Sequence, residues 1–137
     1  MNVLIIGSGG REHCLAWKIS HSRMAGHIYA APGNAGMSDV AECIDIGINE
    51  FEALADFAVG HEVGLTVVGP EAPLVGGIAD YFRKRGLDVF GPGKEGAQLE
   101  GSKVFTRNLA QKYGVPAAEG KVFSAEEYNE ARQYIKS

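Results

Sequence analysis

Val3-Leu4-Ile5-Ile6-Gly7-Ser8-Gly9-Gly10-Arg11-Glu12-His13 runs a continuous apolar segment directly into a glycine-rich turn. The apolar run is too short for a helix, and it predicts a strand buried on both faces. The glycines predict a tight strand-to-helix turn, because a residue without Cβ lets the backbone bend sharply and come close to a ligand. A helix beginning near Arg11 then presents unpaired N–H groups and the positive end of its dipole, a combination that binds anions. Arg11 adds a full charge and a planar donor fork suited to phosphate. Read alone, the turn is either a phosphate cradle or a strand-to-helix connection that binds nothing.

The spacing argues against a dinucleotide. That fingerprint is G-x-G-x-x-G, its last glycine allowing close helix–strand packing, with an acidic residue about 20 positions on for the ribose hydroxyls. Here the sixth position is Glu12, and the second predicted strand, near His27 to Ala30, runs into Ala31-Pro32-Gly33-Asn34 without an acid. A nicotinamide-binding domain is the weaker alternative.

Outward from the first turn, strand and helix signals alternate. Arg11 to about His21 predicts a helix with Leu15, Ala16 and Ile19 inward, and Ile28 to Ala30 a short second strand. Cys43 to Ile46 reads as a short peripheral strand. Asn49 is the expected cap of a helix with Glu52 at the capping-box position and Phe51, Leu54, Ala55 and Ala58 as its buried stripe. Gly64 to Val68 predicts a central parallel strand covered on both faces. Pro73 suits a first helical position, Leu74, Ile78 and Phe82 share a face, and Arg83-Lys84-Arg85-Gly86 gives a basic last turn with a glycine stop. Leu87 to Phe90 is a further strand.

This alternation predicts an α/β fold, a doubly wound parallel sheet of Rossmann-like type with right-handed crossovers. Ligands of such sheets bind beyond the carboxyl ends of the strands. Three loops, Gly7 to Glu12, Pro32 to Gly36 and Gly69 to Pro73, are therefore expected to converge on one cleft.

Beyond Gly93 the pattern turns helical, over Glu95 to Leu99 and Ser102 to Tyr113, the second helix capped by Ser102 and ended by Gly114 and Pro116. A strand at about Lys121 to Phe123 and a capping box from Ser124 to Glu127, with a staple between Phe123 and Tyr128, precede a last helix through Ala131 and Ile135. No stop signal closes it, so the sequence reads as part of a longer chain.

With 137 residues, 45% apolar and 22% charged, the composition is that of one ordinary globular domain rather than a disordered chain. A net charge of -4 gives no general attraction to nucleic acid or an anionic membrane, so a phosphate site has to be made locally. There is no basic leader and no apolar run of spanning length, and a cytoplasmic location is expected. Cys14 and Cys43 are in no metal-ligand or redox spacing, and His13, His21, His27 and His61 form no H-x-x-x-H pair, so no metal site is expected.

Four motifs in order carry a more specific resemblance: the opening strand and Gly-Ser-Gly-Gly-Arg-Glu-His turn, Ala31-Pro32-Gly33-Asn34-Ala35-Gly36, Val68-Gly69-Pro70-Glu71-Ala72-Pro73-Leu74-Val75, and Gln98-Leu99-Glu100-Gly101-Ser102-Lys103. Together they resemble the amino-terminal part of the phosphoribosylamine–glycine ligase family, within the ATP-grasp superfamily. Cys14 departs from the alanine expected there. The resemblance implies a purine-pathway ligase joining 5-phosphoribosylamine to glycine with ATP and magnesium, through a glycyl phosphate that the amine attacks. It implies a substrate-binding domain over residues 1–100 and the linker and helical start of an ATP-grasp domain over 101–137. It assigns Gly9, Gly10 and Arg11 to the 5-phosphate and Glu12 to shaping the loop. Asn34 and Gly36 would line the same pocket, Glu71 would take the ribose hydroxyls, and Lys103 would reach ATP phosphates. Another ATP-grasp enzyme with a similar first domain, such as a biotin carboxylase, is the alternative within the superfamily. No catalytic residue falls in these positions, so the 137 residues alone are expected to bind without turnover.

Overall fold

A computed structural model describes residues 1–136. The chain divides into two compact units, the first Met1–Gly101 and the second beginning at Ser102. In the first, β1 (Asn2–Gly7), β2 (Ile28–Pro32), β3 (Glu42–Cys43), β4 (Val63–Val68) and β5 (Val89–Phe90) form one sheet in the order β3-β2-β1-β4-β5, every pairing parallel. The fold is the doubly wound α/β sheet that the alternating pattern predicts.

β1 is central because its residues are apolar on both sides. Leu4 and Ile6 point into one core with Tyr29, Ala31, Leu54, Ala58, Val68, Ile78 and Phe82. Val3 and Ile5, one residue out of phase, point into a second core with Ala16, Ile28, Ala30, Met37 and Val67. This is the period of two of an extended chain applied to a strand with a layer on each side. The first core is roofed by α2 (Phe51–Gly60), α3 (Glu71–Gly76), α4 (Ile78–Lys84) and α5 (Lys94–Gly101), the second by α1 (Gly10–Ser20) and a 3-10 turn at Met37–Asp39. Cover on the α1 side thins toward the β5 edge, where Phe90 is 70% exposed.

Several boundaries differ from those expected. The helix foreseen from Pro73 starts at Glu71 and is two helices, because Gly77 takes φ +100° and breaks it. Pro73 is the third helical residue, still within the first turn whose amides lack intrahelical acceptors, so its missing N–H costs no hydrogen bond. Leu74, Ile78 and Phe82 nevertheless enter the same core. α4 stops as predicted at Gly86, at φ +73°, with its N–H donating to Arg83 O and that of Leu87 to Phe82 O, both at 3.0 Å. Asn49 does not cap α2; Glu50 takes that position, and its carboxylate accepts the Gly47 N–H. β3 and β5 are pairs of residues rather than four-residue strands, as edge strands with one neighbour each.

The second unit contains α6 (Lys103–Lys112) and α7 (Tyr128–Lys136). Ser102 caps α6 as predicted, its Oγ accepting the Phe105 N–H at 3.2 Å. Lys121 to Phe123 is not a strand: among the described residues of this unit there is no strand to complete a ladder, and an isolated extended segment has no hydrogen bonds to hold it. Ser124 N–H donates to Glu127 Oε2 at 2.7 Å, but Phe123 meets the ring of Tyr134 rather than Tyr128. Among the described residues no helix is long and apolar enough to cross a membrane.

Phe82 is fully buried at the meeting of α4 with the sheet, whereas Ile135 on α7 is 83% exposed. Phe82→Ala should therefore lower the free energy of unfolding by about 3 to 5 kcal/mol through lost burial and a residual cavity, and Ile135→Ala should change it by no more than about 0.5 kcal/mol, both read from urea titrations.

Candidate substrate-binding site

The carboxyl ends of β1, β2 and β4 bring the three expected loops together. Gly33 N–H donates to Gly7 O at 3.2 Å, and Gly69 N–H donates to Ile6 O at 3.0 Å, so the loops after β2 and β4 are both tied to the end of β1. Asn34 adds a side-chain clamp, its Nδ2 donating to Ser8 O at 2.9 Å.

Glu12 stands at the centre of this junction. It is the third residue of α1 and only 4% exposed. Its Oε2 accepts the Gly9 N–H at 2.7 Å, and its Oε1 accepts from Arg11 Nε at 3.0 Å. This is the reciprocal half of a capping box, with glycine in place of the capping hydroxyl. Gly7, at φ +131°, and Gly69 are glycines because a Cβ at either would collide with the Glu12 side chain, and one at Gly9 would lie 2.8 Å from Oε2. Two loops thus leave room for one buried carboxylate, which is where a dinucleotide-binding turn has its third glycine.

Arg11 is half exposed and uses only Nε on Glu12. Its two terminal nitrogens make no hydrogen bond among the described residues. The hydrogen bond to Glu12 and that residue's charge raise the Arg11 pKa above its ordinary value, with smaller contributions from Glu100 and Glu71. Glu71, exposed at the start of α3, is near enough for its charge to act on Arg11. Gly10 is the first residue of α1, and a Cβ built on it meets nothing within 4 Å.

The remaining expected residues have different surroundings. Asn34 uses its whole amide on the chain: Nδ2 on Ser8, and Oδ1 accepting from Gly36 N–H at 2.9 Å and Met37 N–H at 3.2 Å. It fixes the loop after β2 rather than offering free polar atoms. Gly36 lies against the imidazole of His13, a residue that sequence patterns left without a role. The signal was its place three residues after Gly10, one helical turn on. Lys103 is in the second unit, exposed, in a groove of about 290 Å³ that Arg107 and Lys121 also line. Among the described residues no group of three or more His, Cys, Asp or Glu gathers to hold a metal ion.

Comparison with known proteins gives this site a family. The family described as Phosphoribosylglycinamide synthetase, N domain, matches residues 1–100. Over all 137 residues the chain is 47% identical to the phosphoribosylamine–glycine ligase of Halalkalibacterium halodurans, of which it covers 32%. It is 52% identical over 126 residues to that of Pseudomonas aeruginosa, covering 90% of this chain and 29% of the relative. The chain therefore spans about a third of the length of these curated relatives. Among solved structures, the phosphoribosylamine–glycine ligase of Thermotoga maritima superposes with a TM-score of 0.67 at 29% identity, over 99% of this chain and 30% of that one. The N5-carboxyaminoimidazole ribonucleotide synthetase of the same organism reaches a TM-score of 0.71 at 18% identity, over 97% of this chain and 36% of that one, a likeness of fold. On the match across residues 1–100, the chain belongs to the phosphoribosylglycinamide synthetase family and carries its N domain.

Proposed function

We propose that this chain is the substrate-binding portion of an ATP-dependent ligase that joins 5-phosphoribosylamine to glycine in purine biosynthesis. Residues 1–100 form the domain that holds phosphoribosylamine, and residues 101–137 begin the ATP-grasp part. The observation that carries this reading is Arg11, bound to Glu12 through Nε alone, beside the open backbone at Gly10. A terminal phosphate on the N–H groups of the first turn of α1 would meet a helix dipole and the free end of a guanidinium. Glu12 limits that site to a single phosphate, because a second one deeper in the turn would face a buried carboxylate.

The other residues follow from their places around that phosphate. Glu71, exposed and acceptor-only, suits the vicinal hydroxyls of a ribose. Asn34 and Gly36 form the opposite wall. Lys103 is the residue of this segment suited to ATP phosphates, with Arg107 and Lys121 adding positive charge around the same groove. Magnesium, which neutralises nucleotide phosphates in such reactions, finds no ligand cluster among the described residues, and its coordination is assigned to no residue of this segment.

Two glycines distinguish a site for a ligand from a turn that only folds. Gly69→Ala pushes against Glu12 and should lower stability by about 1 to 3 kcal/mol in chemical denaturation. Gly10→Ala meets no protein atom, so it should leave stability unchanged or raise it by up to about 1 kcal/mol, yet weaken binding of ribose 5-phosphate by crowding the amides.

Calorimetry with ribose 5-phosphate, inorganic phosphate and NAD tests the reading directly. Ribose 5-phosphate should bind best, and Arg11→Ala should weaken it by about 1.5 to 3 kcal/mol, the value of a charge-assisted hydrogen bond. Equal or tighter binding of NAD would point instead to a nicotinamide-binding domain.

A further inference from the structure

We propose that His13 is a further substrate-contacting residue of this site, and that Gly36 is a glycine so as to leave room for its ring. The inference rests on the sugar-phosphate reading above and adds to it a residue and a reason.

Gly36 has φ -73° and ψ -20°, a right-handed conformation open to any L-residue, so the backbone does not demand glycine there. What a side chain would meet first is the imidazole of His13: a Cβ would stand 2.7 Å from Cε1 and 3.0 Å from Nδ1, with Asn34 Oδ1 farther off at 3.3 Å. His13 follows Gly10 by three residues on α1. Helical side chains lean toward the N-terminus and cover the turn before their own Cα. A side chain at His13 thus leans toward the first turn, where no described atom comes within 4 Å of a Cβ built on Gly10.

Among the described residues nothing pairs with the ring nitrogens of His13. His21 Nδ1 pairs with Trp17 O, His27 Nε2 with Glu42 and His61 Nδ1 with Phe57 O. Among the described residues, His13 alone of the histidines has neither ring nitrogen in a hydrogen bond or ion pair. It is half-buried between α1 and the loop after β2, with Arg11 and Glu12 as the charged neighbours on its own helix. A half-buried imidazole held by packing, with its donor unused, can donate to an oxygen of a phosphate or of the adjoining sugar.

The test combines calorimetry on the 137-residue chain, with ribose 5-phosphate as probe, and NMR of the His13 Cε1–H on the unaltered protein. His13→Ala should weaken binding about tenfold, as for the loss of one hydrogen bond to a charged group, with an unchanged melting midpoint, and His13→Gln should restore most of it. Gly36→Ala should displace the ring and weaken binding to the same extent. The double variant should be no weaker than either single one, since both changes remove one interaction. In the unaltered protein the Cε1–H resonance should move on addition of the probe, a readout that needs no variant to fold. Binding by His13→Ala within twofold of the unaltered protein, a Cε1–H resonance that stays fixed at saturation, or additive losses in the double variant would overturn the proposal. If the unaltered protein bound no ribose 5-phosphate at all, the sugar-phosphate reading itself would fall, and this inference with it.

Discussion

The carboxylate of Glu12 is the constraint on which the mouth of the sheet depends. A charged group only 4% exposed is costly to bury unless its oxygens are matched by donors. Both oxygens are matched, one by the Gly9 N–H and the other by Arg11 Nε. The room for it comes from missing side chains on two separate loops, at Gly7 and Gly9 after β1 and at Gly69 after β4. The carboxylate thus fills the space between two parallel strands' ends and fixes how closely their loops approach.

The same group shapes the electrostatics of the site. A cradle made only of amides and a helix dipole would attract any anion, including a diphosphate. With Glu12 inside it, an anion seated deep in the turn would face a buried carboxylate, which leaves the outer rim, with the terminal nitrogens of Arg11 and the first amides of α1, as the favourable place for one. Arg11 thus serves both sides of the boundary, neutralising the buried carboxylate with one nitrogen and leaving its fork outward. Glu71, exposed nearby, is an acceptor-only group, and under the proposed reading it would suit the hydroxylated end of a ligand whose anionic end sits on the first turn of α1.

The sheet was legible because its inner strands β1, β2 and β4 are dominated by apolar residues, and a strand covered on two faces has no polar alternation to confuse with a helix. The three loops followed from strand polarity alone. What escaped depended on neighbours. Gly77 breaks a helix whose apolar periodicity continues across it, and only its positive φ reveals the break. Lys121 to Phe123 has strand composition but, among the described residues of its unit, no strand to pair with. The role of Asn34 depends on where Ser8 lies, and that of Gly36 on where the ring of His13 lies, neither of which spacing along the chain reports.

The two units differ in what holds them. The first buries two continuous cores against its sheet, whereas none of the described residues of α6 and α7 is buried, and Phe105, Tyr113, Tyr128 and Ile135 are exposed. Ordering a residue's backbone costs about 1 to 2 kcal/mol, which burial of apolar area has to offset. Helices with exposed apolar faces recover little of that, beyond capping and local pairs such as Ser102 with Phe105. The cooperative stability of the chain therefore belongs to the first unit, whose central strand leads straight into the Glu12 junction. A ligand held at that junction binds the part of the chain that unfolds cooperatively, so its affinity and the melting of the protein are linked through the same core.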